Sequence, residues 1–529
     1  MTWIKADAEH LMVSESQMIF MEEKLLKMGL SVSSLMEKVG VRMADWLKSN
    51  IDILSNGIVV LIGPGHNGGD GLVVARELFL AGYEVAIWCP FPVKKEITSQ
   101  YYKYAKFLGV NLLESEPDPE DHSIWIEALF GVGQTRPLSA SLSKLFQKRE
   151  LSQPGKTISL DVPAGISTDN GKAIQGCIAV KASFTLTVGL YKKGLVQDSA
   201  LKYVGELIRI DIGITPNHLI LNKPNLYRIS SSDIDNFIFP KLSITSNKYE
   251  RGRLLIIAGS HKYPGAGFLS LSGAIASGVG SMRAILPEKM SLNFWHSFPE
   301  VVLDVGLGES KEQGLNLIGK YLSSIDLSRI DAILIGPGIG KDIRDQEKLF
   351  EVLADFDGLL VIDADGLIRL SSLSNGWEWL RKRKAKTWLT PHVPEFRKLF
   401  PELNFISPLD AALEASRISG ATILLKGAHS VIAEPSGTAW QLSGTCPLVS
   451  RTGLGDLLAG YVAGIGAQVV AAKQISAESS FFDHFLAGSA LMHAHAASIC
   501  LEGSNPGEVS GTLSRITRGF QEKQIRKIR

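Results

Sequence analysis

The passage that most restricts the fold lies near residue 60. There the β-branched run IVVLI, opening at Ile58, meets the loop GPGHNGGDG, and an apolar-periodic stretch through Val73, Leu78 and Leu80 follows. Strand, glycine loop and helix in that order begin a βαβ unit. A second extended segment, Tyr83 to Trp88, stops at Cys89 and Pro90 and completes it. Such units place their strands parallel with a right-handed crossover, so the fold class is α/β. Strand-length runs at Trp125 to Phe130, Thr157 to Asp161 and Phe184 to Val188 repeat the rhythm. Ahead of the first strand, apolar residues at three- and four-residue steps through Leu25, Met28, Leu35, Met36, Val39, Met43 and Leu47 predict a helical, core-facing opening.

After Asp211 the pattern loosens into ITPNHLILNKPNLYRISSSD, whose prolines, asparagines and serines interrupt any period. A restart follows with RLLIIAGS and continues at Ala332 to Ile335, Leu359 to Asp363, Thr387 to Thr390 and Thr422 to Lys426, each followed by glycine or proline and a helical stretch. A chain of 529 residues has room for two to four domains at roughly 150 residues each. The reading is two α/β domains, 1–222 and 223–529, with the basic KQIRKIR end as a solvated helix tail.

Composition excludes several function classes. Lys+Arg 55 against Asp+Glu 54 leaves a net charge of +1, which argues against a general nucleic-acid binder. Cys89, Cys177, Cys446 and Cys500 form no CxxC pair, so a zinc ribbon or dithiol redox site is disfavoured and a reducing compartment is expected. Residues 1–20 carry Lys5, Asp7, Glu9, His10 and Glu15 where a secretory signal needs an apolar stretch. No apolar run approaches the roughly 18 residues of a membrane span, so no membrane partner and a cytoplasmic location are expected.

Five glycines among the nine residues 63–71 let backbone approach a ligand without a Cβ in the way, and the helix behind them offers unpaired N–H groups to an anion. A nicotinamide-dependent dehydrogenase is disfavoured, because the second strand ends in Cys89 and Pro90 where a ribose-binding acid belongs. Two more clusters fall at strand ends: EALFGVGQTRP, with Glu127 and Arg136, and DVPAG, with Asp161. Spacing alone supports a site residue and a turn former equally at Asp161. In the second half, RTGLGDLLAG sets a GxGD segment at a helix start, placing backbone donors from Gly453 to Asp456 beside a carboxylate able to take a proton from a hydroxyl. That arrangement suits phosphoryl transfer, and a plain helix start with an N-terminal acid has the same pattern.

In this order LMEKVG, GPGHNGGDG, EALFGVG and DVPAG resemble the epimerase domain of the bifunctional NAD(P)H-hydrate repair enzymes, which has a Rossmann-like fold. The resemblance implies that His66, Asn67, Gly68, Gly69 and Asp70, with Gly131, Val132, Gly133, Gln134, Thr135, Arg136 and Pro137, hold a hydrated nicotinamide dinucleotide. It implies Asp161 as the substrate-binding acid and base, and a potassium ion on Asn67, Glu127 and Ala164. His66 stands where the family usually has Asn, Glu127 where it has Asp, and Ala164 where it has Ser.

The segments RLLIIAGSHKYPGAGFLS, GPGIG, VIDADGL, LTPHVPEF, LLKGAHSVIAE and RTGLGDLLAG resemble the ribokinase-like dehydratase domain of the same enzymes over about Lys241 to Ala467. Implied contacts are Ala266, Gly338 and His392 with the hydrate, and Lys426, Gly427, Ala428, His429, Ser430 and Gly455 with an adenine nucleotide. Asp456 is implied as the catalytic acid, with Mg²⁺ and ADP at this site and assembly into a homo-oligomer. The loop from Cys446 to Asp456 departs from the family's Asn-Pro-Gly-Met and Ala-Thr-Gly-Gly-Thr-Gly-Asp: Leu454 removes a hydroxyl and Arg451 adds a charge. Competing readings are a ribokinase-like small-molecule kinase and a nucleotide-sensing or scaffold protein with one inactive domain.

Overall fold

The structure, a computed structural model, describes residues 3–93, 95–214, 226–240, 245–304, 309–310, 314–315, 317–340, 346–444, 450–472, 482–500 and 505–528. Contacts divide the chain into two units, Lys5–Arg228 and Ile229–Arg529, with Met1–Ile4 belonging to the second.

In the Lys5–Arg228 unit the strands are β1 (Met12–Val13), β2 (Ile58–Ile62), β3 (Val85–Trp88), β4 (Asn111–Leu113), β5 (Ile124–Ala128), β6 (Thr157–Leu160), β7 (Phe184–Val188), β8 (Tyr191–Lys192) and β9 (Glu206–Ile210). Its helices are α1 (Glu15–Lys27), α2 (Val32–Asn50), α3 (His66–Leu80), α4 (Glu96–Leu108), α5 (Ala140–Ser152) and the short α6 (Leu201–Val204). All five residues of β2 are buried, as a strand covered on both faces requires. Ile58, Val60 and Ile62 pack with α2 and α3, whereas Val59 and Leu61 pack with Leu142, Leu145 and Phe146 of α5. The main sheet runs β4-β3-β2-β5-β6-β7-β9, parallel throughout. Because β2 is followed by β3 on one side and flanked by β5 on the other, the chain reverses direction there, and such a switch point opens a crevice at the strand ends.

The second unit repeats this logic. Past the boundary strand β10 (Leu226–Ile229) come β11 (Arg253–Ile257), β12 (Ser281–Ile285), β13 (Val301–Asp304), the small hairpin β14 (Glu309–Ser310) with β15 (Gly314–Leu315), β16 (Ala332–Ile335), β17 (Leu359–Ile362), β18 (Thr387–Leu389), β19 (Thr422–Leu425), β20 (Val431–Ala433) and β21 (Ala439–Leu442). The order β21-β20-β19-β18-β17-β16-β11-β12-β13 is parallel except for the β19-β20-β21 edge. Here β11 lies between β12 and β16, so the switch point falls at its end. Helices α7 (Pro264–Ser277), α8 (Glu288–Ser297), α9 (Ile318–Leu322), α10 (Gln346–Ala354), α11 (Asp365–Ser371), α12 (Val393–Leu399), α13 (Pro408–Ser419), α14 (Leu454–Ala471), α15 (His484–Ile499) and α16 (Pro506–Ile528) complete it.

The expected strands are present with trimmed ends, and six that the pattern did not single out, β4, β9, β12, β13, β20 and β21, widen the sheets. The expectation that no apolar stretch reaches membrane length needs amending. Helix α14 spans 18 residues with mean hydropathy 1.4, but it is a core helix, buried from Leu457 to Val469.

Helices α7 and α14 meet backbone to backbone. A methyl on Gly460 would overlap the Ser270 carbonyl oxygen, and one on Gly273 would overlap that of Leu457. This close crossing fixes the α14 N-terminus, and with it Asp456. Gly460→Ala gains about 1 kcal/mol of helix propensity, while forcing the two helices apart costs about 1–3 kcal/mol. We expect a net loss of stability, read as a lower urea midpoint with an unchanged slope.

Candidate active sites

The first site begins where β2 ends. Helix α3 starts at His66 with Gly65 as its N-cap and no side chain capping it, so no cap covers the N–H groups of its first turn at the crevice. One strand over, β6 ends at Leu160 and Asp161 turns into the left-handed region at φ 66°, a conformation Asp tolerates better than most residues. Its carboxylate is tightly held. Oδ1 accepts from Lys192 Nζ (2.6 Å) and Val188 N (3.2 Å), and Oδ2 accepts from Val132 N (3.1 Å). Lys192 is fully buried and also donates to Thr187 Oγ1 (3.0 Å) and the Val188 carbonyl (2.7 Å), so its charge is satisfied on every side. A Cβ on Gly131 would sit 2.9 Å from Asp161 Oδ2, which makes glycine necessary to keep that oxygen uncovered.

A cavity of about 350 Å³ lies here, walled by His66, Asn67, Asp70, Gly131, Val132, Gly133, Gln134 and Asp161 together with Glu22 of α1. Burial, reinforced by the Asp161 charge and partly offset by Lys192, pushes the Glu22 carboxyl up to about 7. Burial and the charges of Asp161 and Glu22 drive Asp70 well above the usual carboxylate range. Of the other residues assigned to the hydrate, Gly68 and Gly69 sit behind the wall against the Gly63 carbonyl and the Met36 side chain. Thr135 and Arg136 are exposed and Pro137 is half-buried, all off the cavity wall.

The ligand set expected for potassium comes apart. Asn67 fits: its Nδ2 donates to the Leu160 carbonyl (3.2 Å) and its buried Oδ1 has no hydrogen-bond partner. Glu127 does not. Its Oε1 accepts from Leu129 N (2.8 Å), and its Oε2 from Ser159 Oγ (2.8 Å) and Ala164 N (3.1 Å), with the Phe130 backbone as a further donor. A carboxylate offers about four lone-pair sites, so none remains for a metal. Burial pushes Glu127 up to about 7 despite these bonds. Ala164 has no side-chain oxygen, and its carbonyl accepts from Val180 N (2.9 Å). Glu127 is therefore committed to its own loop and to Ser159, and Ala164 offers nothing beyond its backbone carbonyl.

The second site gathers at the ends of β11, β16, β17, β18 and β19. Gly338 (φ 62°) abuts Ala266, whose Cβ would lie 2.7 Å from an added methyl. Lys426 pairs with His392 as a parallel bridge and donates from its backbone N to the Pro391 carbonyl (2.8 Å). Its ammonium donates to Asp363 Oδ1 (2.8 Å), a carboxylate only 1% exposed. Gly455 is adjacent, since a Cβ there would stand 3.5 Å from Lys426 Nζ. Gly453, at φ 95°, caps α14, and Asp456 lies in its first turn. Burial first, then the charges of Asp363, Asp365 and Glu395, against the opposing Lys426, push Asp456 up to about 6. Burial likewise raises Glu395.

His392 takes up the capping role. Its Nδ1 accepts from Glu395 N (3.1 Å) while Glu395 Oε2 accepts from His392 N (2.9 Å), a reciprocal cap for α12. That leaves the ring proton on Nε2 as a donor. Gly427 and Ala428 are exposed; Ser430 Oγ closes the turn on Gly427 N (3.2 Å), and buried His429 accepts from Gly444 N (3.2 Å). Arg451 is exposed just ahead of α14, and Cys446 to Val449 lie outside the described residues. Among the described residues no group of three or more His, Cys, Asp or Glu is arranged to hold a metal ion.

Sequence reasoning missed Lys192, Glu22, Asp363 and Glu395. Lys192 carries no local signal. Glu22 does: it stands four residues after Met18 on a stripe continuing to Leu25 and Leu26, a charged residue on an apolar helix face.

Fold and geometry define a two-domain α/β enzyme with a carboxylate-bearing crevice at each switch point. A family model described as YjeF-related protein N-terminus matches residues 32–194, and one described as NAD(P)H-hydrate dehydratase matches residues 254–504. The bifunctional NAD(P)H-hydrate repair enzyme Nnr of Synechocystis is 35% identical over 470 residues, covering 88% of this chain and 86% of that one. Its counterpart in Gloeobacter violaceus is 35% identical over 466 residues, covering 86% and 89%. The chain belongs to the family of bifunctional NAD(P)H-hydrate repair enzymes and pairs an epimerase half with a dehydratase half. A solved ADP/ATP-dependent NAD(P)H-hydrate dehydratase from Bacillus subtilis, co-crystallized with ATP/Mg²⁺, is 22% identical, covers 55% of this chain and 97% of that chain, and has a TM-score of 0.41, too slight a likeness to add to the sequence match.

Removing one partner of a buried ion pair strands the other charge. Lys192→Met is expected to destabilise the epimerase unit by about 3–5 kcal/mol, measured by hydrogen exchange in its sheet. The double variant Lys192→Met, Asp161→Asn should recover at least half of that loss, since no unpaired charge remains.

Proposed function

We propose that Asp161 and Asp456 carry the two steps of repair: the first interconverts the R and S hydrates of NAD(P)H, and the second dehydrates the S form at the expense of ADP. The observation that supports this most directly is that each site presents a carboxyl at a strand or helix end with a lysine charge nearby, Lys192 paired with Asp161 itself and Lys426 paired with Asp363 next to Asp456.

In the hydrate, a hydroxyl sits on the ring carbon next to nitrogen. Protonating that hydroxyl lets it leave as water while the nitrogen lone pair forms a C=N⁺ bond, and water re-enters from either face. Asp161 Oδ2, with one lone pair uncommitted, is placed to accept the proton of the entering water. Glycine-lined backbone and Gln134, whose Oε1 accepts from Gly165 N (2.7 Å), shape the wall that holds the nucleotide.

In the second half hydroxide is a poor leaving group, and phosphorylation solves the problem. Asp456 takes the hydroxyl proton as oxygen attacks the terminal phosphorus of ADP, AMP departs, and phosphate then leaves the ring as nitrogen pushes its electrons toward the carbon. Lys426 and the α14 N-terminus face the negative charge that builds on the phosphoryl group. Mg²⁺ bound with the nucleotide would offset phosphate charge beside Lys426 and Asp456, held mainly by phosphate and water oxygens. ADP rather than ATP rests on the resemblance alone.

Incubation with S-hydrate, ADP and Mg²⁺ should restore the reduced-nicotinamide absorbance, releasing one AMP and one phosphate per turnover. A phosphorylated hydrate that accumulates without absorbance would instead mean a kinase, and binding without turnover a sensor. Asp456→Asn should lower kcat about 10²–10⁴-fold. Because the base must be ionised, wild-type kcat/KM should fall as pH drops through about 6.

A further inference from the structure

We propose that Glu22 is a second catalytic proton carrier of the epimerase half, supplying the proton that releases water while Asp161 receives the proton of the water that returns. This deepens the epimerase reading and rests on it.

The first ground is occupancy. Asp161 already accepts from Lys192, Val188 N and Val132 N, which leaves it one free lone pair and an ammonium at 2.6 Å. Such a carboxylate has room for one incoming proton, so a second group is called for to supply the proton that starts the turnover. The second ground is position. Glu22 comes from α1, an element separate from the β6 end that carries Asp161, yet both line the same cavity. Helix α1 is locked there by a Ser14–Gln17 capping box and by the buried Met18 and Met21. The third is company. Helix α2 faces the cavity with Val32, Leu35, Met36 and Val39, which are apolar. The titratable and charged groups around Glu22 are Asp161, Asp70 and Lys192, with His66 also on the wall. In that setting its carboxyl is held near 7 by burial and by the Asp161 charge, so an acid is available at neutral pH.

The exchange balances. A proton passes from the Glu22 carboxyl to the hydrate oxygen, the C–O bond breaks with both electrons on the departing water, and the ring nitrogen lone pair becomes the C=N⁺ bond. A new C–O bond then forms on the other face, the π electrons return to nitrogen, and Asp161 takes the proton lost by the entering water. Glu22 ends ionised and Asp161 protonated, which is the starting arrangement for the reverse direction with roles exchanged. Two carriers on different elements account for entry at both ring faces without moving either side chain across the ring.

The test follows R/S interconversion of NADPH hydrate by the full chain across pH. Wild type should give a bell whose alkaline limb falls as pH rises through about 7, because the acid must be protonated. Glu22→Gln should lower kcat about 10²–10⁴-fold with KM within about twofold, and should abolish that limb. Glu22→Asp should recover at least tenfold of the loss. Near-ultraviolet dichroism and a thermal melt establish that the variants are folded; if Glu22→Gln is not, Glu22→Asp alone decides, by slowing the reaction or leaving it unchanged. A Glu22 variant that keeps wild-type rate and both limbs overturns the proposal, as does loss of the alkaline limb in Asp70→Asn instead. Wild type that fails to epimerise at all refutes the epimerase reading itself, a result distinct from either.

Discussion

A carboxylate carried to the end of a buried parallel sheet costs several kcal/mol in lost hydration unless a cation and hydrogen-bond donors meet it there. Both halves of this chain answer that constraint with a lysine. Lys192 meets Asp161 at 2.6 Å, and Lys426 meets Asp363 at 2.8 Å. In the first half the paired carboxylate is itself the group we propose to react, and the lysine fixes which of its oxygens stays open. In the second half the paired carboxylate stands behind the proposed reacting group, and its charge, with those of Asp365 and Glu395, helps hold Asp456 near 6.

Close backbone approach is what brings these groups within reach. An added methyl on Gly63 would overlap the Leu129 carbonyl, and one on Gly336 would overlap the Asp363 carbonyl. In each unit, then, the loop after one strand at the switch point is pressed against the loop after a neighbouring strand, and the chemistry-bearing residues follow directly. Asp161 and Ala364, at φ 66° and 47°, are non-glycine residues in the left-handed region at those strand ends. Strain of order 1–3 kcal/mol at each is tolerable only where the surroundings over-determine the turn.

How much was legible from sequence follows from how local each feature is. The β2 strand, its glycine loop and α3 are adjacent in the chain, and period and punctuation suffice to read them. Asp161 and Asp456 sit beside turn and helix-start signals, so their positions stood out even though their chemistry required a family resemblance. Lys192 lies 31 residues from Asp161, and Lys426 lies 63 from Asp363, distances at which no pattern reports a contact. Glu127 shows the opposite failure. A family position was legible, but one added methylene lets the carboxylate reach donors from its own loop and from Ser159, and that packing decides its role. Helix α14 is a further miss: its 18 largely apolar residues did not stand out in the sequence as one segment, and its burial against α7 shows why it is so apolar.

On the proposed mechanism each half works through its own carboxylate, and neither needs the other's. Mixing equal amounts of two disabled chains, one Asp161→Asn and one Asp456→Asn, with R-hydrate, ADP and Mg²⁺ tests this most directly. Complete return of the reduced-nicotinamide absorbance is expected, because the intact epimerase half of one chain feeds the intact dehydratase half of the other, while each variant alone stalls. A mixture that leaves the R-hydrate unconverted would contradict it.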